Sequence, residues 1–110
     1  MAKADMGYTQ TSTGADVEIL FNSAYVACAI TLDTTAFTEG VCLAGTPIDG
    51  DGKVANTADA IGIVLKDVYT GRPQATVVYQ GAIRETVAEA HSGLTYADAM
   101  KTALKNVVFM

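Results

Sequence analysis

The longest unbroken apolar run in this chain, Ala24 to Ile30, is too short to cross a bilayer. The remaining apolar runs are shorter still, and glycine, proline and aspartate recur between them. That punctuation constrains the fold more than any other feature, because a chain cut at such intervals builds short strands joined by tight turns. Val17, Ile19 and Phe21 alternate with Glu18 and Leu20, a period near two. Tyr25 to Leu32 reads as a second strand, broken by Asp33-Thr34-Thr35. Phe37 to Ile48 reads as short strands interrupted by glycine bends, with Pro47 at a sheet edge or strand end because it has no N–H to donate. Asp49-Gly50-Asp51-Gly52-Lys53 is a turn, and Asn56 to Asp59 is polar and loop-like. Ala60 to Leu65 is nearly all apolar, as a strand buried on both faces would be, and Lys66-Asp67-Val68 continues it. Thr70-Gly71-Arg72-Pro73 turns into a strand at Thr76 to Tyr79, and after Gly81 the stretch Ala82 to Val87 resumes extended structure.

One helix is expected. Thr95 with Asp98 three residues on has the spacing of a capping box. Tyr96, Ala99, Met100, Ala103 and Leu104 then recur at three- and four-residue spacing, which forms one apolar face up to Lys105. Asn106 ends it, and Val107-Val108-Phe109 reads as a closing strand. The expected fold is mainly β with one short C-terminal helix, a small barrel- or sandwich-like domain whose strand order stays open.

With 110 residues the chain has room for one core. Residues 1–15 are polar and small and read as a flexible N-terminal arm; residues 16–110 form a single β-rich domain. A composition 50% apolar and 17% charged is that of a folded domain. The net charge of −5 and the scatter of Lys3, Lys53, Lys66, Arg72, Arg84, Lys101 and Lys105 argue against direct nucleic-acid binding. The opening residues carry no apolar core of a secretory signal, and no membrane partner is expected. Cys28 and Cys42 are expected as free thiols in a reducing cytosol, with a bridge between them left open.

Catalytic and metal-binding patterns are not visible. His91 is the lone histidine, in what reads as the loop before the helix, where a solvated surface group is the expectation. Asp49-Gly50-Asp51 begins like a calcium loop, but Lys53, Val54 and Ala60 stand where a third oxygen ligand, glycine and glutamate are needed. Gly40, Gly45, Gly50, Gly52 and Gly62 do not fall at phosphate-loop spacing and read as turn and bulge residues. No catalytic residue, metal ligand or cofactor is expected.

The order of segments carries a resemblance. Leu43-Ala44-Gly45-Thr46-Pro47-Ile48, a turn, and Ala60-Ile61-Gly62-Ile63 ending at Asp67 resemble the bacteriophage head-decoration proteins, the lambda-type and head-fibre-base family. Thr76-Val77-Val78-Tyr79, Gly81, Ile83-Arg84, the Tyr96–Lys105 helix and Val107-Val108-Phe109 follow in the same order, so the likeness covers roughly residues 41–110. It implies a structural protein of the virion, not an enzyme. Such a protein is made in the bacterial cytoplasm, assembles as a homotrimer, and binds the major capsid protein on the outer surface of the phage shell. There it braces the expanded, DNA-filled head. In lambda-type members an N-terminal arm contacts the shell, which points to Tyr8, Thr9, Gln10 and Thr11 here. Val17 to Leu32 departs from the family pattern by being more apolar, as extra strands or a surface covered in an assembly would be. The alternative reading is a head–tail adaptor, tail or fibre-base binding module, which forms one ring per particle instead of covering the shell.

Overall fold

The structure, a computed structural model, describes residues 18–22 and 24–110. In chain order these form β1 (Val26–Thr31), β2 (Val41–Cys42), β3 (Pro47–Ile48), β4 (Gly62–Val64), β5 (Val68–Tyr69), β6 (Gln74–Ile83), α1 (Glu85–Ser92), α2 (Asp98–Ala103) and β7 (Val107–Phe109). A single 3₁₀ turn spans Thr34–Ala36, begun by the Asp33 carboxylate, which accepts the Thr35 N–H at 3.0 Å.

β6 organises the domain. Its first half lies antiparallel between β1 and β4, and its last residues pair in parallel with β7. The resulting five-stranded sheet runs β1-β6-β4-β3 with β7 beside β6, and β2 with β5 forms a separate two-stranded sheet. The large sheet does not close into a barrel. β3 and β1 are its opposite edges, and the turn after β3 reaches back to β1 through one backbone hydrogen bond, Asp33 N–H to Gly52 O at 2.9 Å.

Successive residues of a strand face opposite sides of its sheet, so a strand apolar at every position needs cover on both. At the middle of the sheet both sides are covered. Ile63 and Val78 are register partners and share a core with Ile83, Ala88, Tyr96 and Met100 on the helix side. Their neighbours Val64 and Val77, also partners, face a second core with Leu32, Ala36, Cys42 and Val68 under the small sheet. Ile63, Val64, Val77 and Val78 are all fully buried. Gly81, at φ 147°, breaks the alternation, and Ile83 joins the helix-side core although its parity matches Val77.

The structure corrects several expectations. There are two helices among the described residues, not one. α1 occupies Glu85–Ser92, where extended structure was expected after Ile83; the β-branched pair Thr86-Val87 masked an Ala- and Glu-rich segment that ends at Gly93 in the left-handed conformation. The later helix is shorter than Tyr96–Lys105, and Thr95 does not cap it. Ala97 stands at the cap position without a side-chain bond of its own, and the Asn56 side chain replaces the capping box. Asn56 Oδ1 accepts the Ala97 N–H at 3.0 Å while its Nδ2 donates to Thr95 O at 2.8 Å.

Ile19 and Leu20 are both buried and Phe21 is half exposed, so the expected alternation fails. Here the chain makes one bridge, Leu20 to Ile83, where both neighbours reach the helix-side core. β4 begins only at Gly62, so Ile61 before it is exposed, and it stops at Val64; Lys66-Asp67-Val68 does not continue it, because Asp67 turns inward and Val68 enters the small sheet with β2. Other expectations hold. β1 lies within Tyr25–Leu32, Pro47 opens the edge strand β3, Asp49–Lys53 is a turn, and β7 lies at Val107–Phe109. The arm at residues 1–15 lies outside the described residues.

Candidate functional site

Three polar devices tie the helix layer to the sheets. Tyr96, 4% exposed, donates its hydroxyl to Gly45 O at 2.6 Å, and its backbone N–H bonds the Glu89 carboxylate at 2.7 Å. Burial, reinforced by Glu89 and Glu85, pushes its hydroxyl well above the ordinary phenol range, so it stays a donor. Its ring meets Phe109 edge-on, with centroids 5.4 Å apart. The second device is the Asn56 clamp on the α1–α2 link. Asp67 is the third: Oδ1 accepts the Ala44 N–H at 2.9 Å and lies 2.7 Å from His91 Nε2.

His91 is therefore not a solvated loop residue. It belongs to the last turn of α1, half-buried, and its ring is committed to Asp67. The loop expectation fails because residues 85–92 are helical. We expect Asp67→Ala to cost about 2 kcal/mol, since it strands the Ala44 N–H as well as releasing the histidine. His91→Ala should cost about half as much; urea-unfolding midpoints of the two variants measure the difference.

Neither cysteine is bridged. Cys28 is exposed on β1. Cys42 is buried beside Asp67 and Thr46. Burial pushes its thiol up, the Thr46 hydroxyl opposes that, and Asp67 adds to it, which leaves a neutral thiol. The calcium-like turn is used by its own backbone: Asp49 Oδ1 accepts the N–H groups of Asp51 and Lys53 at 2.9 and 3.0 Å. No group of three or more metal-ligating side chains occurs among the described residues.

Comparison with protein-family models, with curated proteins and with solved structures finds no match.

Two surfaces remain as candidates for binding. One is the β1 edge of the large sheet, where Phe21, Tyr25 and Val26 are exposed with Tyr79 of the neighbouring β6. The other is a cleft of about 420 Å³ beside β2. Buried Ala36, Cys42 and Thr46 line it within, and exposed Thr38, Glu39 and Val54 line its rim.

The rim is built on a two-residue turn. Thr38 N–H donates to Val41 O at 2.9 Å and Val41 N–H to Thr38 O at 3.2 Å, with Glu39 at φ 53° and Gly40 at φ 83° between them. Positive φ at both central positions is the type I′ hairpin turn, whose first position favours Asn, Asp or Gly. Glutamate held there stores about 1 kcal/mol of strain. The Glu39-Gly40 bend is legible in the sequence but the cleft is not, because the residues that build it come from three separate stretches, 36–46, 54 and 92–94. Tyr8, Thr9, Gln10 and Thr11, the arm residues, lie outside the described residues, so neither surface is assigned to them.

Proposed function

We propose that this chain is a structural virion protein that binds the outer surface of a bacteriophage shell and stabilises the expanded head. The observation that carries this reading is the apolar β1 edge. Phe21, Tyr25 and Val26 are 50%, 41% and 40% exposed at the border of the sheet, and the chain enters the described fold at the same border, through the Leu20–Ile83 bridge. An apolar strand edge of this kind is a template for pairing with another chain.

The resemblance supports the same reading. Its two most distinctive segments, ending Pro47-Ile48 and Gly62-Ile63, meet as the antiparallel pair β3–β4. They thus form one unit of structure. In this reading the arm residues Tyr8 to Thr11 bind the major capsid protein, and three copies act together. Linked attachment of that kind raises avidity by about 10²–10⁴ when the geometry permits.

Co-sedimentation with shells of the phage that carries this gene tests the reading. Saturating attachment to many equivalent sites on expanded shells, with little on unexpanded ones, is the expected result. Attachment as one ring per particle would move the chain to the head–tail adaptor class, and no attachment would remove the virion-surface reading.

A further inference from the structure

We propose that the cleft beside β2 is a docking site for an apolar side chain carried next to a Lys or Arg on a partner polypeptide. The proposal goes beyond the shell reading and does not depend on it. Three observations converge.

The first is size and lining. At about 420 Å³ the cleft falls within the range of binding pockets, roughly 300–1,000 Å³, and has room for more than one side chain. Ala36, Val41, Leu43 and Leu94 give it a mainly apolar wall, with hydroxyls at Thr38, Thr46 and Ser92. The Thr46 hydroxyl is already used, donating to Leu43 O at 2.7 Å, so the inner wall offers no free donor there.

The second is charge. Among the described residues Glu39 is the single charged residue in the lining, and it stands on the exposed rim. Among the described residues it forms no ion pair. An apolar interior with one carboxylate at the mouth complements an apolar group that has a cation beside it.

The third is backbone strain. The turn geometry favours Asn, Asp or Gly at position 39, yet the residue lining the cleft there is a glutamate. Strain held at a rim residue is a feature of binding sites. The rim, formed by the exposed Thr38, Glu39 and Val54, is open to a chain lying across it with one side chain turned inward. That favours a polypeptide as the occupant.

The test uses the full chain, isotope-labelled, with two probes followed by amide chemical shifts. One probe is N-acetyl-leucyl-lysine amide and the other its uncharged counterpart, N-acetyl-leucyl-norleucine amide. Both should move the Thr38, Val41, Leu43 and Leu94 signals, with the lysine probe binding about fivefold more tightly. The variant Glu39→Asn suits the turn and so keeps the fold. It should bring the lysine probe down to the norleucine level and leave the norleucine probe unchanged. A lysine preference that survives Glu39→Asn, shifts that fall away from the cleft, or no binding by either probe would overturn the proposal.

Discussion

Replacing Tyr96 with alanine lowers stability by about 5 kcal/mol, a large part of what holds a domain of this size together. Two losses add. Removing a buried aromatic ring opens a cavity bounded by Phe109 and the helix-side core, and large-to-small changes of this kind cost about 3–5 kcal/mol. The Gly45 carbonyl also loses its donor beneath α1, which costs about 1–3 kcal/mol when no water can enter. Tyr96→Phe separates the two, keeping the ring and removing the hydroxyl, and should cost about 1–2 kcal/mol. Urea unfolding of the three proteins, read at constant slope, gives both numbers. Equal losses for Phe and Ala would mean that the hydroxyl alone matters and the ring packing does not.

Gly62→Ala is the second large effect, about 3 kcal/mol. A Cβ at this position would meet Val77 Cγ1 and lie 2.6 Å from the Val78 carbonyl oxygen. The valine side chain has some freedom, but the carbonyl belongs to β6, which is held on both edges by β1 and β4 and has no room to retreat. Gly71→Ala is the matched control. Nothing lies within 4 Å of its would-be Cβ, and its cost should stay within about 0.5 kcal/mol. Thermal or urea melts of the pair decide it, and similar stabilities would show that β6 yields where the geometry says it is fixed.

Gly62 also shows how much of this fold was legible in the residues. Its place in an apolar run marks a buried strand, and β4 is one, but the reading of Gly62 as a turn or bulge residue fails: it lies inside β4, and the reason for glycine there, the backbone of β6 passing close by, is a tertiary fact. The turn at Asp49–Lys53 and the edge position of Pro47 were legible because each rests on a local property: the φ preference of Asp-Gly and the missing N–H of proline. α1 was not. Thr86 and Val87 carry strand preference, and what overrides them is the burial of Ala88 and the Asp67–His91 contact. Likewise Thr95 and Asp98 have the spacing of a reciprocal cap, yet Asn56, distant in sequence, takes that role. The candidate site was the least legible part. Glu39 gains its meaning from Val54 and Leu94, which approach it only when the chain has folded.

The placement of β6 has a consequence for the order of events in folding. Its partners come from earlier in the chain, at β1 and β4, and from later, at β7. During synthesis the first half of its ladder can zip as soon as it emerges, while the β7 side of Gly81 to Ile83 must wait for Val107 to Phe109 to close a longer loop. Parallel pairings reached through loop closure form slowly. The stretch from Ile83 to Val107 therefore passes through an interval in which α1 and α2 have formed as local turns without a completed strand to lie against. In that interval Met100 is open to the wrong partners.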